Sequence, residues 1–321
     1  MKLLIAIVNY RSANLTIDCL QSLSSEMPKF LDARVVVVDC ASADGSLQTL
    51  AGAIDHHGWN SWAQLIAAPE NGGFAYGNNL AIKPFLDAPG SPEYVLLLNP
   101  DTLVRPGALT ALVNFMDQNP RVGIAGSRLE DPDGTQQRSA FRFPSIFGEL
   151  DNGLRLGLVS RMLHRFVVAP APQECPHETD WVAGASMIVR RQVISDIGLM
   201  DEQYFLYYEE VDYCLRARRA GWQIWYAPES RVVHLIGQST GVTTKTAPTQ
   251  RPRRRPAYWF DSRKRYFVKN RGHLYAMIAD AAWLIGLILC RTRQIVQRRP
   301  NDIPISLIPD LFRHSLLKWK V

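Results

Sequence analysis

Leu3 to Val8 is an unbroken apolar run that stops at Asn9-Tyr10-Arg11-Ser12, and the same signature recurs through the first hundred residues. Arg34-Val-Val-Val-Val-Asp39 closes on an acid, Gln64 to Ala67 is shorter, and Val95 to Leu98 ends abruptly in Asn99, Pro100 and Asp101. Continuous apolar residues mark strands covered on both faces, the habit of a parallel sheet. Between these runs the apolar spacing turns helical: Leu15, Cys19, Leu20 and Leu23, then Asn78 to Leu86, then Leu109, Leu112, Val113 and Met116 in a helix expected from Pro106. Strands and helices alternating in this way predict an α/β fold with a mostly parallel central sheet.

The second half is less regular. Val122 to Gly126 predicts a further strand, and Asp180 to Arg190 another, with Trp181 at its start and Gly184 at a close backbone approach. Two roles are open to Trp181, core packing or stacking on a sugar. An aromatic run, Tyr204 to Tyr208, leads into Glu209, Glu210 and Asp212, and Val211, Cys214, Leu215 and Arg218 then follow helical spacing. Acids in a first helical turn are favoured by the helix dipole alone, which explains one of them better than three. Asp212 and Arg216 form an i, i+4 pair. Ser230 to Thr240 carries His234 after two valines. Residues 130 to 178, with Asp131-Pro-Asp-Gly134 and three later prolines, predict turns and an irregular loop.

Composition, at 47% hydrophobic and 21% charged, is that of a folded protein long enough to bury a large core. Charge sharpens the picture. Residues 251–321 hold 16 Lys+Arg against 4 Asp+Glu, whereas the preceding 250 residues are net acidic. Within this basic tail lie seventeen mostly apolar residues, Leu274 to Cys290, interrupted by Asp280 and bracketed by Lys269, Arg271, Arg291 and Arg293. A spanning helix needs about 20 apolar residues and a central carboxylate is costly there. The pattern suits a helix lying in the headgroup layer of an anionic membrane; a buried helix is the alternative. Clustered arginines without a reading module do not suggest nucleic acid. Five scattered cysteines without a Cys-x-x-Cys pair fit a reducing compartment and predict neither a disulfide framework nor a zinc site. The six apolar residues at the start are too few for a signal-peptide core and are read as the first strand.

Candidate chemistry follows from where the acids fall. In open α/β sheets, ligands bind beyond the carboxyl ends of the strands, and Asp39 and Asp101 stand at two such ends. Each has a plainer alternative: Asp39 as a turn residue, and Asp101 or Thr102 as the cap of the following helix. The loop Asn71-Gly-Gly-Phe-Ala-Tyr-Gly-Asn-Asn79 lets the backbone approach a ligand closely, but it is neither a dinucleotide fingerprint nor a P-loop.

Taken together, Ile7-Val-Asn-Tyr10, Val38-Asp-Cys-Ala-Ser-Ala-Asp-Gly-Ser46, the glycine loop and Leu97-Leu-Asn-Pro-Asp-Thr102 resemble the nucleotide-sugar half of the family 2 inverting glycosyltransferases of GT-A fold. The rhamnosyltransferase-like and galactofuranosyltransferase-like members match best. The resemblance implies that Asn9, Tyr10 and Asp39 hold the nucleoside, and that Asp44, Asn71, Gly72 and Asn79 shape the ribose and diphosphate pocket. Asp101 becomes the metal-binding acid of an Asp-x-Asp motif in which Asn99 replaces the first Asp. Tyr208-Glu-Glu-Val-Asp212 matches the family's base motif, placing the base on Glu210, with Glu209 as second candidate and Asp212 in support. His234 would complete a Mn²⁺ or Mg²⁺ site with Asp101, and Trp181 and Gly184 would face the acceptor. Cys40 departs from the family pattern, where an Asn is usual.

The resulting expectation has three parts: a catalytic domain over 1–240 (nucleotide-sugar half 1–105, acceptor half 106–240), an Arg/Pro-rich linker over 241–260, and a membrane-associated helical tail over 261–321. It would act as a metal-dependent inverting glycosyltransferase, cytoplasmic and peripheral to the inner face of the cell membrane. It would move L-rhamnose from dTDP-rhamnose to a polyprenyl-diphosphate-linked saccharide in cell-surface polysaccharide synthesis. A UDP-sugar donor and a non-catalytic scaffold are the alternatives. A nucleotidyltransferase would need a basic loop after the first strand, which Val8-Asn-Tyr-Arg-Ser12 does not supply. Oligomeric state is left open.

Overall fold

Valines 35 to 38 are buried without exception, because in the computed structural model the apolar runs pair side by side and are covered on both faces. The structure describes residues 1–30, 32–86, 90–235 and 252–317. Strand β1 (Leu3–Asn9), helix α1 (Ala13–Ser24), β2 (Ala33–Asp39), α2 (Ser46–His56), β3 (Ala63–Ala67), α3 (Gly73–Leu86) and β4 (Tyr94–Leu98) realise the expected alternation. β1 pairs in parallel with both β2 and β4, and its register sets Asn9 opposite Asp39.

After β4 the chain forms β5 (Thr102–Val104), α4 (Ala108–Gln118), β6 (Val122–Glu130), β7 (Ala140–Phe141), α5 (Ile146–Leu154) and α6 (Gly157–Met162). It continues as β8 (His177–Glu178), β9 (Trp181–Val182), β10 (Ser186–Arg190), α7 (Arg191–Ile197), α8 (Glu209–Arg219) and β11 (Gln223–His234). Helices α9 (Ala257–Arg271), α10 (His273–Val296) and α11 (Leu307–His314) follow. Among the described residues the main sheet has nine strands, in the order β3-β2-β1-β4-β10-β6-β11-β5, with β8 beside β11. It is mixed but mostly parallel: β10 runs antiparallel to β4 and β6, and β5 and β8 antiparallel to β11.

Three local readings shift. Asp101 and Thr102 lead into β5 rather than into a helix, so neither is the cap of α4, which starts two residues after Pro106 behind the left-handed Gly107. The strand expected over Asp180–Arg190 is broken into β9 and β10 by a turn at Ala183–Ala185. Helix α3 begins at Gly73 rather than Asn78, because Gly73 takes the positive φ that turns the chain into the helix.

The chain divides into two compact units. The first comprises Met1–Phe141, Ala171–Phe205 and the stretch from Glu209 through β11, and holds the main sheet. The second gathers Arg142–Pro170, Leu206–Tyr208 and the C-terminal helices. Residues 142–170, read from sequence as part of the acceptor half, therefore cluster with the tail. Of the expected linker, residues 241–251 lie outside the described residues, and the remainder already enters α9.

Within the second unit α10 crosses α5 at Gly153 and Gly286. A Cβ on Gly286 would lie 2.9 Å from both Gly153 Cα and the Leu150 carbonyl oxygen, so small residues set the close approach. The carboxylate that interrupts the apolar segment is buried and paired: Asp280 accepts from Arg263 Nη1 at 2.5 Å, and Arg263 also donates to Glu149 Oε2 from Nη2 at 2.8 Å. Burial opposes the Arg263 cation, but Glu149 and Asp280 outweigh it and hold its pKa above the usual range. Asp280 Oδ2 accepts a second bond, from Leu316 N. α11 turns Leu307 and Leu311 into the same small core as Trp283 and Leu287.

Candidate active site

The carboxyl ends of β1 and β2 are tied by one polar network. Asn9 Nδ2 donates to Asp39 Oδ1 at 2.6 Å and to Ser42 Oγ at 3.3 Å, while its Oδ1 accepts from Ser12 and Thr16 hydroxyls. All four hydrogen-bonding positions of the Asn9 amide are thus taken inside the loop, so it orients Asp39. Ser42, absent from the sequence reading, is the hub: its hydroxyl donates to Asp39 at 2.5 Å and its backbone N–H to the other carboxylate oxygen at 3.2 Å. Arg11, Ala41 and Ala43 all take φ near +50° here. Left-handed backbone costs about 1–2 kcal/mol per non-glycine residue, and such strain concentrates at binding sites. Tyr10 is exposed beside the Arg11 guanidinium. Asp44 is also exposed and accepts from Ser46 N at 3.0 Å; bonding to Ser46 holds its carboxyl below the usual range.

The glycine loop is fixed by close backbone approaches. A Cβ on Gly73 would fall 1.8 Å from the Phe205 carbonyl oxygen, and that oxygen accepts from Phe74 N at 2.9 Å. Gly73, not singled out from sequence, is therefore obligatory. Gly72 lies against the Tyr76 ring, and Asn71 Oδ1 accepts from Gly73 N. Asn79 faces away from any ligand: it is buried and bonds Met200 N, Met200 O and Glu202, stapling α3 to the segment ahead of the acidic cluster. Cys40 is buried at the foot of the loop, where a Cβ on Gly77 would lie 3.0 Å from its sulfur; burial raises its thiol pKa to about 12.

Asp101 follows β4 and is buried, and His234 ends β11. Pairing of β11 with β5 sets His234 opposite Thr102, so that His234 Nε2 stands 3.6 Å from Asp101 Oδ1. Residues 133 positions apart are thereby joined by strand pairing, and Leu235 N donates to the Asp101 carbonyl. One carboxylate and one imidazole at this spacing fit a divalent ion such as Mn²⁺ that takes its remaining ligands from phosphate oxygens and water. Among the described residues no third His, Cys, Asp or Glu completes a protein-only cage. Half-buried Asn99 donates its backbone N–H to the Ala185 carbonyl at 3.0 Å.

Glu209 and Glu210 open α8. Among the described residues, Oε2 of each is buried without a hydrogen-bond partner, an arrangement that native structures keep where it does chemistry. Burial, then the neighbouring Glu210 charge, pushes the Glu209 carboxyl well above its usual range. Burial raises Glu210 to about 7, against the pull of the Glu210 and Val211 N–H groups at the helix start. Asp212 is different. It accepts from Tyr204 OH and from Arg216 Nε at 3.1 Å, and Arg216 clamps the Ile197 and Leu199 carbonyls, so Asp212 positions the segment before the helix.

The turn at Gly184 brings these parts together. A Cβ there would lie 3.3 Å from the Phe74 ring of the glycine loop and 3.8 Å from Glu210 Cβ, and the next residue is bonded to Asn99. Trp181 is half-buried with one face stacked on Phe141 at 4.2 Å. The glycine loop, the strand end at Asn99 and the start of α8 thus meet at this turn.

An α/β sheet that gathers Asp39, the Asp101–His234 pair and the Glu209–Glu210 cluster at neighbouring strand ends has the architecture of a GT-A glycosyltransferase. The family model "Glycosyltransferase like family 2" matches residues 2–258, and the chain belongs to that family. It is 29% identical over 233 residues to the N-acetylglucosaminyl-diphospho-decaprenol L-rhamnosyltransferase of Mycobacterium tuberculosis, covering 68% of this chain and 71% of that protein. It is 24% identical over 240 residues to the dTDP-rhamnosyl transferase RfbF of Shigella flexneri, covering 74% and 73%. The mannosyltransferase PcManGT of Pyrobaculum calidifontis, solved with GDP-Man and Mn²⁺, superposes with a TM-score of 0.56 over 92% of this chain and 75% of that one. At 15% identity that likeness speaks for the fold.

Proposed function

We propose that this enzyme transfers L-rhamnose from dTDP-rhamnose to a polyprenyl-diphosphate-linked saccharide by one inverting displacement. The observation that carries the mechanism is the buried, unpartnered Glu210 carboxylate beside Gly184. The acceptor hydroxyl oxygen forms a bond to the anomeric carbon as the bond to the nucleoside diphosphate breaks, and the hydroxyl proton passes to Glu210. Burial and the Glu210 charge favour the neutral form of Glu209, and Glu210 is the group assigned the proton. Asp39 binds the nucleoside, and Asp101 with His234 would hold a divalent ion whose charge stabilises the departing diphosphate. The choice of rhamnose and of a polyprenyl-diphosphate acceptor is supported by the names of the two bacterial relatives.

Calorimetry with thymidine-, uridine- and guanosine-linked sugars, each with and without Mn²⁺, tests the donor. Metal-dependent binding of dTDP-rhamnose alone is expected. Tight binding of a uridine-linked sugar instead overturns the donor assignment, and silence from the whole panel overturns the enzyme reading.

The second part of the proposal is a peripheral location on the inner face of the cell membrane. Helix α10 supports it: one face is buried on α5, while the other exposes Leu274 (72%), Ile285 (52%), Ile288 (47%), Leu289 (52%) and Ile295 (61%). Exposed Lys269, Arg271, Arg298 and Arg299 flank that apolar face, and each is worth about 1 kcal/mol near an anionic bilayer. The helix is long and apolar enough to cross a membrane. Spanning, however, would cost the Arg263–Asp280–Glu149 cluster on its inner face, so the helix is assigned to the surface. Sedimentation with vesicles is expected to retain the protein on phosphatidylglycerol-containing bilayers at low salt and to release it at high salt. Ile285→Ser with Leu289→Ser should weaken retention at least tenfold; unchanged retention of that variant sinks the assignment.

A further inference from the structure

Three arginines of the second unit show how this fold treats a guanidinium. Arg254 forms a forked pair with Asp310 at 2.7 and 2.6 Å. Arg263 carries both Glu149 and Asp280. Arg255, between them in sequence, has aromatic faces and no anion. Its Cζ lies 4.0 Å from the Trp259 ring centroid and 5.5 Å from that of Trp283, and its Nη1 is buried with no hydrogen-bond partner among the described residues. Nor do the described residues supply it with a carboxylate. Burial lowers its pKa from the ordinary arginine value, and the Glu149 carboxylate, beyond ion-pair distance, offsets this only in part.

An unpaired buried cation is among the most destabilising arrangements a protein can hold, and buried guanidinium nitrogens are normally satisfied. The guanidinium lies over the Trp259 ring and near Trp283, and these contacts leave its N–H groups unused. A planar guanidinium fork whose N–H groups have no protein acceptor is suited to take two oxygens of a phosphate. Tyr208, whose ring lies 5.7 Å from Trp259, belongs to the same unit and adds a third aromatic ring to the cluster.

We infer that Arg255, set beside Trp259 and Trp283, is a binding site for a diphosphate, the acceptor's own linkage being the favoured source. The choice of source rests on the proposed acceptor; the site itself does not. The donor's diphosphate offers the same oxygens, and the two must be separated by experiment.

Binding of inorganic pyrophosphate and of dTDP to the full chain is measured calorimetrically in metal-free buffer for the wild type, Arg255→Gln and Arg255→Lys, with thermal melting as the check on folding. Arg255→Gln is expected to weaken pyrophosphate at least tenfold, and Arg255→Lys to recover part of the loss by keeping the charge without the fork. Unchanged dTDP affinity in Arg255→Gln assigns the site to the acceptor. An equal loss for dTDP keeps the diphosphate site but gives it to the donor. Wild-type affinity for both ligands in Arg255→Gln overturns the inference, as does a wild type that does not bind pyrophosphate. Either result stands apart from the sugar-nucleotide panel, which probes the transfer reaction without reference to Arg255.

Discussion

Glu210→Gln is expected to lower kcat by about 10²–10⁴-fold, the range that a positioned general base supplies, while making the fold more stable in alkaline buffer. Both effects come from one cause, burial of a carboxylate whose Oε2 has no partner. The base works ionised, so wild-type transfer should rise with pH through about 7 and level off above it. Stability moves the other way. The folded-state pKa lies above the ordinary value of 4.5, so the contribution of Glu210 is fully present below that value and is lost as pH rises through about 7. At pH 8 the amide removes a buried charge and should gain on the order of 1–3 kcal/mol; at pH 4 the gain should vanish. Glu209→Gln should change kcat less than tenfold and leave the pH midpoint nearly in place, because burial and the Glu210 charge already favour the neutral form of Glu209, which the amide mimics. Paired pH–rate profiles and melting curves for both variants decide the matter. A Glu210→Gln enzyme with wild-type turnover, or a midpoint that moves with Glu209 alone, removes Glu210 from the role.

Strand ends were legible in the sequence because they follow from covalent order. Continuous valines ending in Asp39, and leucines ending in Asn99-Pro-Asp101, place both acids at carboxyl ends of parallel strands before any coordinates exist. The acidic cluster was legible for a similar reason, since Glu209, Glu210 and Asp212 fall in one helical turn. What a single sequence hides is how hydrogen-bonding capacity is distributed across distant loops. Asn9 and Asn79 read as ligand-binding amides, yet Asn9 is saturated by Asp39, Ser42, Ser12 and Thr16, and Asn79 spends three of its four hydrogen-bonding positions on Met200 and Glu202. Ser42 and Gly73 escaped for the converse reason: a serine in a polar loop and one glycine among three carry no signal until a carboxylate or the Phe205 carbonyl is seen against them. The φ near +70° at Tyr207 and Tyr208, just ahead of the base, is likewise invisible in side-chain type. The tail was half legible. Its apolar and basic periodicity showed an amphipathic helix, but Asp280 read as an interruption, and only packing of α10 on α5 shows it as one member of a closed ion cluster.

Asp101→Asn is expected to abolish Mn²⁺-dependent donor binding with little change in melting temperature. The substitution keeps size and shape but replaces an anionic oxygen donor with a neutral amide, so a metal site should suffer far more than a packing site. Loss of groups that merely orient metal ligands costs about 10–100-fold in affinity, and loss of one of two protein ligands should exceed that. His234→Ala should weaken Mn²⁺ less, because the anion remains. The measurement is titration of Mn²⁺ by electron paramagnetic resonance with dTDP present, read alongside dTDP binding in metal-free buffer. Metal-free nucleotide affinity should be unchanged in both variants, since the proposed nucleoside site at Asp39 does not include Asp101. The competing account makes Asp101 and His234 an ion pair 3.6 Å apart that secures the junction of β5 and β11. On that account both variants lower the melting temperature together and leave Mn²⁺ binding untouched. The two accounts therefore predict opposite movements in two independent measurements, and separating them does not require the acceptor to be known.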